Sequence, residues 1–177
     1  ALQCPTLLLN GFGAHRIEGI GDKHVPWVHN VKNTDVVTAI DDEDCMRLLR
    51  LFNEPDGKKL LHDSGVPASF TEQLNMIGIS GIGNLLSAIK TAKYYEMTSD
   101  DVIVTLATDS AEMYQSRIKE LEEQKGKYNT LQAEKDYEKC LMGAATDNMK
   151  ELNYYDKKAI HNLKYFTWVE QQGKTVD

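Results

Sequence analysis

The sequence predicts an α/β domain in residues 1–126 that forms part of a parallel sheet, and a mainly helical extension in residues 127–177. Two apolar runs rich in β-branched residues, 35–40 and 102–107, carry the first prediction, because buried parallel strands have this composition. Acidic residues and a helical pattern follow each run, which is the order of a βα unit. After Gly126 the chain becomes helical in pattern, rich in tyrosine and highly charged.

The composition fits one globular domain and excludes several classes of partner. The chain has 177 residues, of which 41% are hydrophobic and 27% charged. Its net charge of −7 argues against a nucleic-acid-binding face, which would be basic. No apolar run approaches the ~20 residues of a membrane span, and the first residues show no basic-then-apolar pattern of a signal segment. We therefore expect no nucleic-acid partner and no membrane partner.

The three cysteines favour a reduced, cytoplasmic protein. Cys4, Cys45 and Cys140 are far apart and form no Cys-x-x-Cys pair. We expect each of them to be a small core residue rather than a reactive thiol.

The elements of residues 1–77 are predicted in chain order. Residues 6–9 are either a short buried strand or a helical turn, and the glycines between 11 and 21 indicate an irregular segment. After the strand at 35–40, Asp41 is the expected N-cap of a helix that ends near Asn53. Two short helices are predicted at 57–63 and 69–76.

Five further helices are predicted from the glycine-rich turn at 78–84 onward. One runs from Ile82 to Tyr95 on the apolar spacing i, i+3, i+4, i+7. After the strand at 102–107, Asp109 and Glu112 have the spacing of a capping box for a helix at 111–123. The extension is predicted to contain the others, at 131–142, 147–152 and 156–169.

The turn Gly78-Ile79-Ser80-Gly81-Ile82-Gly83-Asn84 is a candidate ligand site. A helix start offers unpaired backbone N–H groups and a partial positive charge. Glycines allow a ligand to approach the backbone, and a serine hydroxyl can donate or accept a hydrogen bond. Close packing of the helix on a strand explains the same glycines equally well.

Other catalytic and binding motifs are absent from the sequence. The glycines at 78, 81 and 83 do not have the order Gly-x-Gly-x-x-Gly, and no phosphate-binding Gly-x-x-x-x-Gly-Lys-Ser/Thr loop is present. The five histidines form no His-Glu-x-x-His motif, and no cysteine stands near them at ligand spacing, so we expect no metal site. No Gly-x-Ser-x-Gly elbow anchors a hydrolase triad.

Three segments, taken in order, resemble the C-terminal part of the fold-type-II pyridoxal-phosphate enzymes, the cysteine synthase and cystathionine β-synthase group. Ile17-Glu18-Gly19-Ile20-Gly21, followed by Val25-Pro26, resembles that family's Ile-Gln-Gly-Ile-Gly segment and its Ile-Pro. Gly78-Ile79-Ser80-Gly81 resembles its Gly-Ile-Ser-Ser-Gly turn. The run at 102–107 with Thr108-Asp109-Ser110 and the later Tyr114 resembles its strand followed by Pro-Asp-Ser or Pro-Ser-Ser and a downstream tyrosine. The resemblance covers residues 13–120.

This resemblance implies a tryptophan synthase β-like fold, with residues 1–126 belonging to the family's large domain, and pyridoxal 5′-phosphate as cofactor. It implies a lyase or transferase of amino-acid metabolism, a homodimer or other homo-oligomer, that performs β-elimination or β-replacement on a serine- or cysteine-type amino acid. It also implies that the Ser80 hydroxyl forms a hydrogen bond with the pyridine nitrogen of the cofactor. It also implies that Gly19, Ile20 and Gly21 line the cofactor and substrate side, and that Thr108 and Asp109 border the ring.

The family's Schiff-base lysine, its substrate loop and its 5′-phosphate loop lie in an N-terminal half without a counterpart here. We therefore expect that missing N-terminal half as a partner, and no catalytic residue is assigned. Gly81, Asp22-Lys23 and Thr108 depart from the family's pattern, which leaves the substrate and nucleophile open. The alternatives are a non-catalytic subunit or scaffold that keeps the fold without the lysine, and a nucleotide-binding domain that uses the Gly78 turn for phosphate.

Overall fold

The computed structural model describes residues 1–176, which contain eight α-helices and two short strands. Segments of 3₁₀-helix lie at Val31–Asn33, Leu74–Met76 and Ala111–Tyr114, and π-helical segments at Glu138–Met142 and Phe166–Glu170. The regular elements in chain order are α1 (Thr6–Leu9), β1 (Val36–Thr38), α2 (Asp42–Asn53), α3 (Pro55–Asp63), α4 (Ala68–Thr71), α5 (Ile79–Tyr94), α6 (Gln115–Lys125), α7 (Thr130–Tyr137), β2 (Met149–Glu151) and α8 (Tyr154–Tyr165).

Helix α2 is the centre of the hydrophobic core. Its Met46, Leu48 and Leu49 are completely buried, and α3, α5 and α7 pack around it. The predicted cap is confirmed, because the Asp41 carboxylate accepts a hydrogen bond from the Glu43 N–H at 2.9 Å. The predicted end is confirmed as well, since the helix ends at Asn53.

Strand β1 forms inside the predicted strand at 35–40, but its neighbour is unexpected. It pairs antiparallel with β2, Val36 lying opposite Glu151 and Thr38 opposite Met149. The predicted helix at 147–152 is therefore wrong. A short charged segment has no strong periodicity, so pairing with the edge of β1, which satisfies its backbone groups, decides its conformation. The larger parallel sheet, and the division of the chain at residue 126, stay predictions.

The predicted strand at 102–107 is not formed. Its residues have no regular secondary structure, and within residues 1–176 their backbone groups make no hydrogen bond to another strand. Val102, Val104 and Leu106 are 82%, 87% and 73% exposed. β-branched composition favours a strand only where a neighbouring strand offers hydrogen bonds and a surface to pack on. This segment therefore leaves an apolar stretch of chain in solvent.

Helix α5 begins at Ile79, three residues before the predicted start, and Gly78 is its N-cap. The glycine-rich segment is thus mainly the first two turns of the helix rather than a turn before it. The predicted helices at 57–63, 131–142 and 156–169 are confirmed with small shifts of their ends, residues 6–9 are helical, and the segment predicted as a helix at 69–76 divides into α4 and a 3₁₀ turn.

The C-terminal residues pack on the first part of the chain. Ile160 of α8 is buried in a small apolar cluster with Val25, Val31 and Val37. Trp168 donates its indole N–H to the Val25 carbonyl at 2.7 Å. Residues 25–31 therefore pack against both strand β1 and the C-terminal helix α8.

The three cysteines are buried and form no disulfide, as the sequence predicts. Burial raises the pKa of the Cys45 thiol far above its ordinary value, and burial together with Asp44 raises that of Cys140 to about 12. Both thiols therefore stay protonated and unreactive at neutral pH. Across residues 1–176, no helix combines the length and the apolar character needed to cross a membrane.

Candidate functional site

A cavity of about 300 Å³ lies where the start of α5 meets residues 106–114 and residues 18–20 of the glycine-rich N-terminal segment. Five of the six predicted site residues line it: Gly19, Ile20, Ser80, Thr108 and Asp109. The sixth, Gly21, lines a neighbouring cavity of about 430 Å³ together with Gly19 and Ile20. The structure thus brings together three segments that are distant in sequence.

The centre of the site is a network of hydroxyl groups around one carboxylate. Ser80 Oγ lies 2.6 Å from Thr108 Oγ1 and donates to Asp109 Oδ1 at 3.3 Å. The Thr108 hydroxyl lies 3.3 Å from the same carboxylate oxygen, and the Tyr114 hydroxyl donates to Asp109 Oδ2. Ser80 is buried, with 5% of its surface exposed. Three hydroxyl groups therefore surround the Asp109 carboxylate, and because Ser80 and Thr108 share one hydrogen bond, only one of these two can donate to Asp109 at a time.

The predicted capping box of Asp109 and Glu112 is wrong. The residue that caps the 3₁₀-helix Ala111–Tyr114 is Ser110, and its side chain makes no capping hydrogen bond. The Asp109 carboxylate points instead to the start of α5, where it lies 3.3 Å from the buried Ser80 hydroxyl. Spacing along the chain cannot reveal that tertiary donor.

Gly78 joins the two segments of the network without space for a side chain. Its backbone N–H donates to the Asp109 carbonyl at 2.9 Å. A Cβ atom at residue 78 would lie only 2.8 Å from the Asp109 carboxyl carbon and 3.1 Å from its carbonyl oxygen. This close approach explains why residue 78, the first position of the Gly78-to-Asn84 motif, is glycine.

Gly19 covers the Ser80 side of the cavity. Its φ of +87° belongs to the left-handed region that glycine adopts most easily. A Cβ built on Gly19 would contact Ser80 Cβ at 3.8 Å, so this backbone passes directly over the serine. Gly21 also has a positive φ, +107°, and its carbonyl is hydrogen-bonded to the His15 ring.

Sequence reasoning assigned no role in the site to Tyr114 or Asn84. Tyr114 was predicted as part of a buried helix face and matched the family's downstream tyrosine, and its hydroxyl donates to Asp109. Asn84 donates its amide to the Leu106 carbonyl at 3.0 Å and ties the exposed 102–107 segment to α5. Its place at the end of the glycine motif was the one available signal.

Tyr114 should remain a neutral phenol well above pH 10. Burial, together with the hydrogen bond to Asp109, raises its pKa from 10.0 to about 12. The group's contribution to stability is therefore complete below pH 10 and lost as the pH rises to about 12. When tyrosinate formation is followed by ultraviolet absorbance, native wild type and native Tyr114→Phe should show the same increase up to pH 10. Their absorbance should differ only near pH 12. In urea, where both chains are unfolded, the difference in absorbance should appear near pH 10. If native wild type and variant already differed fully at pH 10, the raised pKa of Tyr114 would be contradicted.

The lining residues fit part of a cofactor rather than a whole one. No arginine or lysine of residues 1–176 lines this cavity. Its side chains are three hydroxyls, two carboxylates, one amide and two apolar groups, from Ser80, Thr108, Tyr114, Glu18, Asp109, Asn84, Ile20 and Leu106. Such a wall suits an aromatic ring with a hydrogen-bonding atom, but it lacks a cation for a phosphate. Among the same residues, no cluster of histidine, cysteine and carboxylate side chains could hold a metal ion.

Comparison with known proteins gives one informative similarity. The chain is 30% identical over 115 residues to cysteine synthase B of Campylobacter jejuni. That alignment covers 65% of this chain and 31% of the relative, so the chain spans about a third of the relative's length. No family model matches the sequence. No solved structure matches it either. The similarity suggests a cysteine-synthase-like relationship.

Proposed function

We propose that this chain supplies the ring-nitrogen side of a pyridoxal-phosphate site in a cysteine-synthase-like enzyme. The observation that carries the proposal is the buried Ser80 hydroxyl, which lies in one cavity with Gly19, Thr108 and Asp109. The similarity to a cysteine synthase supports the same chemistry. The reaction we propose is β-elimination or β-replacement on a serine- or cysteine-type amino acid.

The hydroxyl network leaves Ser80 able to donate to the ring nitrogen. A hydroxyl has one proton and two lone pairs, and either oxygen of the 2.6 Å Ser80–Thr108 contact can be the donor. When Thr108 donates to Ser80, the Ser80 proton can leave its long contact with Asp109 Oδ1 and turn to a pyridine nitrogen. Pyridoxal phosphate, when bound, supplies the electron sink for chemistry at the α-carbon of the amino acid.

Asp109 acts as a positioning residue in this proposal. Its carboxylate accepts a hydrogen bond from the Tyr114 hydroxyl and lies 3.3 Å from Ser80 Oγ, so it stands behind the serine rather than at the ring. A neutral hydroxyl then contacts the ring nitrogen, and the nitrogen is not held protonated as a carboxylate would hold it. That weaker electron sink suits β-chemistry better than transamination.

The remaining parts of the site would come from another segment of polypeptide. The cavity contains no lysine to hold the cofactor and no cation for its phosphate among its lining residues. We propose that the missing N-terminal half of the enzyme supplies both. A strand of that half would pair with residues 102–107, whose apolar side chains are exposed and whose backbone has no partner strand within residues 1–176. A homo-oligomer is part of the same proposal.

Binding can be tested on the chain itself with pyridoxine 5′-phosphate, which lacks the aldehyde that reacts with any surface lysine. In a buffer of inorganic phosphate, which saturates any other phosphate-binding surface, we expect its amide chemical-shift changes to be confined to residues around Gly19, Ser80 and Thr108. Ser80→Ala should weaken binding about fivefold, the value of one neutral hydrogen bond of about 1 kcal/mol. Ser87→Ala, on the same helix but outside the cavity, should bind as the wild type does. Changes located elsewhere, or equal binding by both variants, would refute the role of Ser80.

Catalysis is tested on the protein produced from the complete reading frame that contains this sequence. With pyridoxal phosphate we expect a visible absorbance band that borohydride abolishes, and release of the β-substituent from serine or cysteine. Ser80→Ala should reduce that release more than it reduces thermal stability. Cofactor binding at Ser80 without release of a β-substituent would favour the non-catalytic scaffold instead.

A further inference from the structure

A second cavity, of about 460 Å³, lies between α2, α6 and α7 and shares no residue with the Ser80 cavity. Five of its lining side chains are cationic, although the protein carries a net charge of −7. They are Arg47, Arg50, Lys125, Lys127 and Lys135. A concentration of positive charge on an acidic protein indicates a local site rather than a general property of the surface.

Three of these five cations already have a carboxylate partner. Arg47 Nη1 lies 2.8 Å from Asp136, Arg50 Nε lies 2.7 Å from Glu54, and Lys125 pairs with Glu43. Lys127 and Lys135 make no ion pair with any residue of the described chain, 1–176. Two positive charges at the cavity are therefore left without compensation.

The floor of the cavity is rigid before any ligand arrives. Arg50 is 4% exposed, donates to the Gly126 carbonyl at 3.1 Å and lies 4.8 Å from the centre of the Tyr128 ring. The Tyr128 hydroxyl in turn donates to Asp136 at 3.0 Å. A site whose walls are held by such contacts loses little conformational entropy when a ligand binds.

The carboxylate of Asp136, which also lines the cavity, does not neutralise the charges of Lys127 and Lys135. Asp136 accepts hydrogen bonds from Arg47, Tyr128 and Gln132, so its carboxylate is fully occupied within the wall. The Arg47 Nε lies 3.4 Å from Glu43 Oε1, so this guanidinium faces two carboxylates. The excess positive charge of the cavity therefore comes from Lys127 and Lys135.

We propose that this cavity is a binding site for a small phosphate dianion, either inorganic phosphate or the phosphate group of a metabolite. Two unpaired lysines match a charge of −2. The planar guanidinium groups, which would otherwise recognise carboxylates with two parallel hydrogen bonds, are already bound to Asp136 and Glu54. The cations that remain are ammonium groups, which bind phosphate as point charges.

The two free lysines belong to the same part of the fold, since Lys127 precedes α7 and Lys135 lies within it. A dianion that contacts both requires the folded conformation of this segment, so the temperature of unfolding should rise with the concentration of phosphate.

The test is a titration of the cofactor-free chain with inorganic phosphate, at ionic strength held constant with sodium chloride, followed by calorimetry and thermal unfolding. We expect saturable binding and a rise in Tm. The double variant Lys127→Gln/Lys135→Gln should bind at least about tenfold more weakly, since it removes two charge-assisted contacts. Lys119→Gln/Lys158→Gln changes the net charge equally at two exposed lysines outside the cavity and should bind like wild type.

Equal affinity of the two double variants, or no saturable binding by wild type, would overturn the proposal. Succinate carries the same charge on two carboxylates, and tighter binding of succinate than of phosphate would overturn the assignment to phosphate. Both double variants alter exposed side chains, and a Tm equal to wild type without phosphate establishes that they fold. Ser80→Ala should bind phosphate normally, so this result is independent of the Ser80 cavity.

Discussion

Replacing Asp136 by alanine should lower the free energy of unfolding by about 3–5 kcal/mol, the usual effect of removing one partner from a buried ion pair. Asp136 is 1% exposed and accepts hydrogen bonds from Arg47 at 2.8 Å, Tyr128 at 3.0 Å and Gln132 at 2.8 Å. The substitution leaves the Tyr128 hydroxyl buried without an acceptor and the Arg47 guanidinium without its closest carboxylate. It therefore separates α7 from the central helix α2.

Urea unfolding followed by circular dichroism measures this loss. Asp63→Ala is the matched control, because Asp63 pairs with Lys59 on an exposed helix surface, where ion pairs contribute little. We expect no measurable change of the unfolding midpoint for the control. A loss below about 1 kcal/mol for Asp136→Ala, the range of ordinary substitutions, would show that the network does not hold α7 in place.

Replacing Gly78 by alanine should cost about 2–3 kcal/mol of stability, as overpacking of a closed site does. The new methyl group would lie 2.8 Å from the Asp109 carboxyl carbon and 3.1 Å from the Asp109 carbonyl oxygen. Relief of that contact requires movement of the backbone at Asp109. Because Ser80 and Tyr114 are both bonded to this carboxylate, the variant should also lose binding of pyridoxine 5′-phosphate.

Gly83→Ala is the control on the same helix. A Cβ at residue 83 would make ordinary contacts, the nearest at 3.6 Å from Ile20, and alanine favours a helix interior over glycine by about 0.8–1 kcal/mol. We expect the control to be as stable as wild type or slightly more stable in the same urea experiment. If Gly78→Ala were equally harmless, the segment at Asp109 would be more adaptable than the contacts indicate.

The candidate site could be largely predicted from the sequence, whereas its internal connections could not. The ordered set of three motifs pointed to Gly19, Ile20, Ser80, Thr108 and Asp109, and these residues line one cavity. The hydrogen bond from Tyr114 to Asp109 was missed, because a tyrosine on an apolar helix face shows nothing of its hydroxyl's partner. The cofactor role of these residues stays a prediction.

Local signals predicted most of the helices. An N-cap aspartate, an apolar stripe and a terminating Glu-Pro lie within a few residues of one another, so α2 could be placed almost to the residue. Segments that need a distant partner were misplaced. Residues 147–152 pair with β1 instead of forming a helix, and residues 102–107 have strand composition without a neighbouring strand.

The sequence by itself determined where most of the helices lie, that the thiols are buried, and which residues are candidates for the site. Those features depend on periodicity, capping and motif order, which are encoded over short stretches of chain. The tertiary structure alone decided that Asp109 connects Ser80 with Tyr114, that β2 pairs with β1, and that cations of α2 and α7 meet in one cavity. The reason is physical, because a carboxylate, a strand edge or a lysine acquires its partner only when packing brings distant residues together.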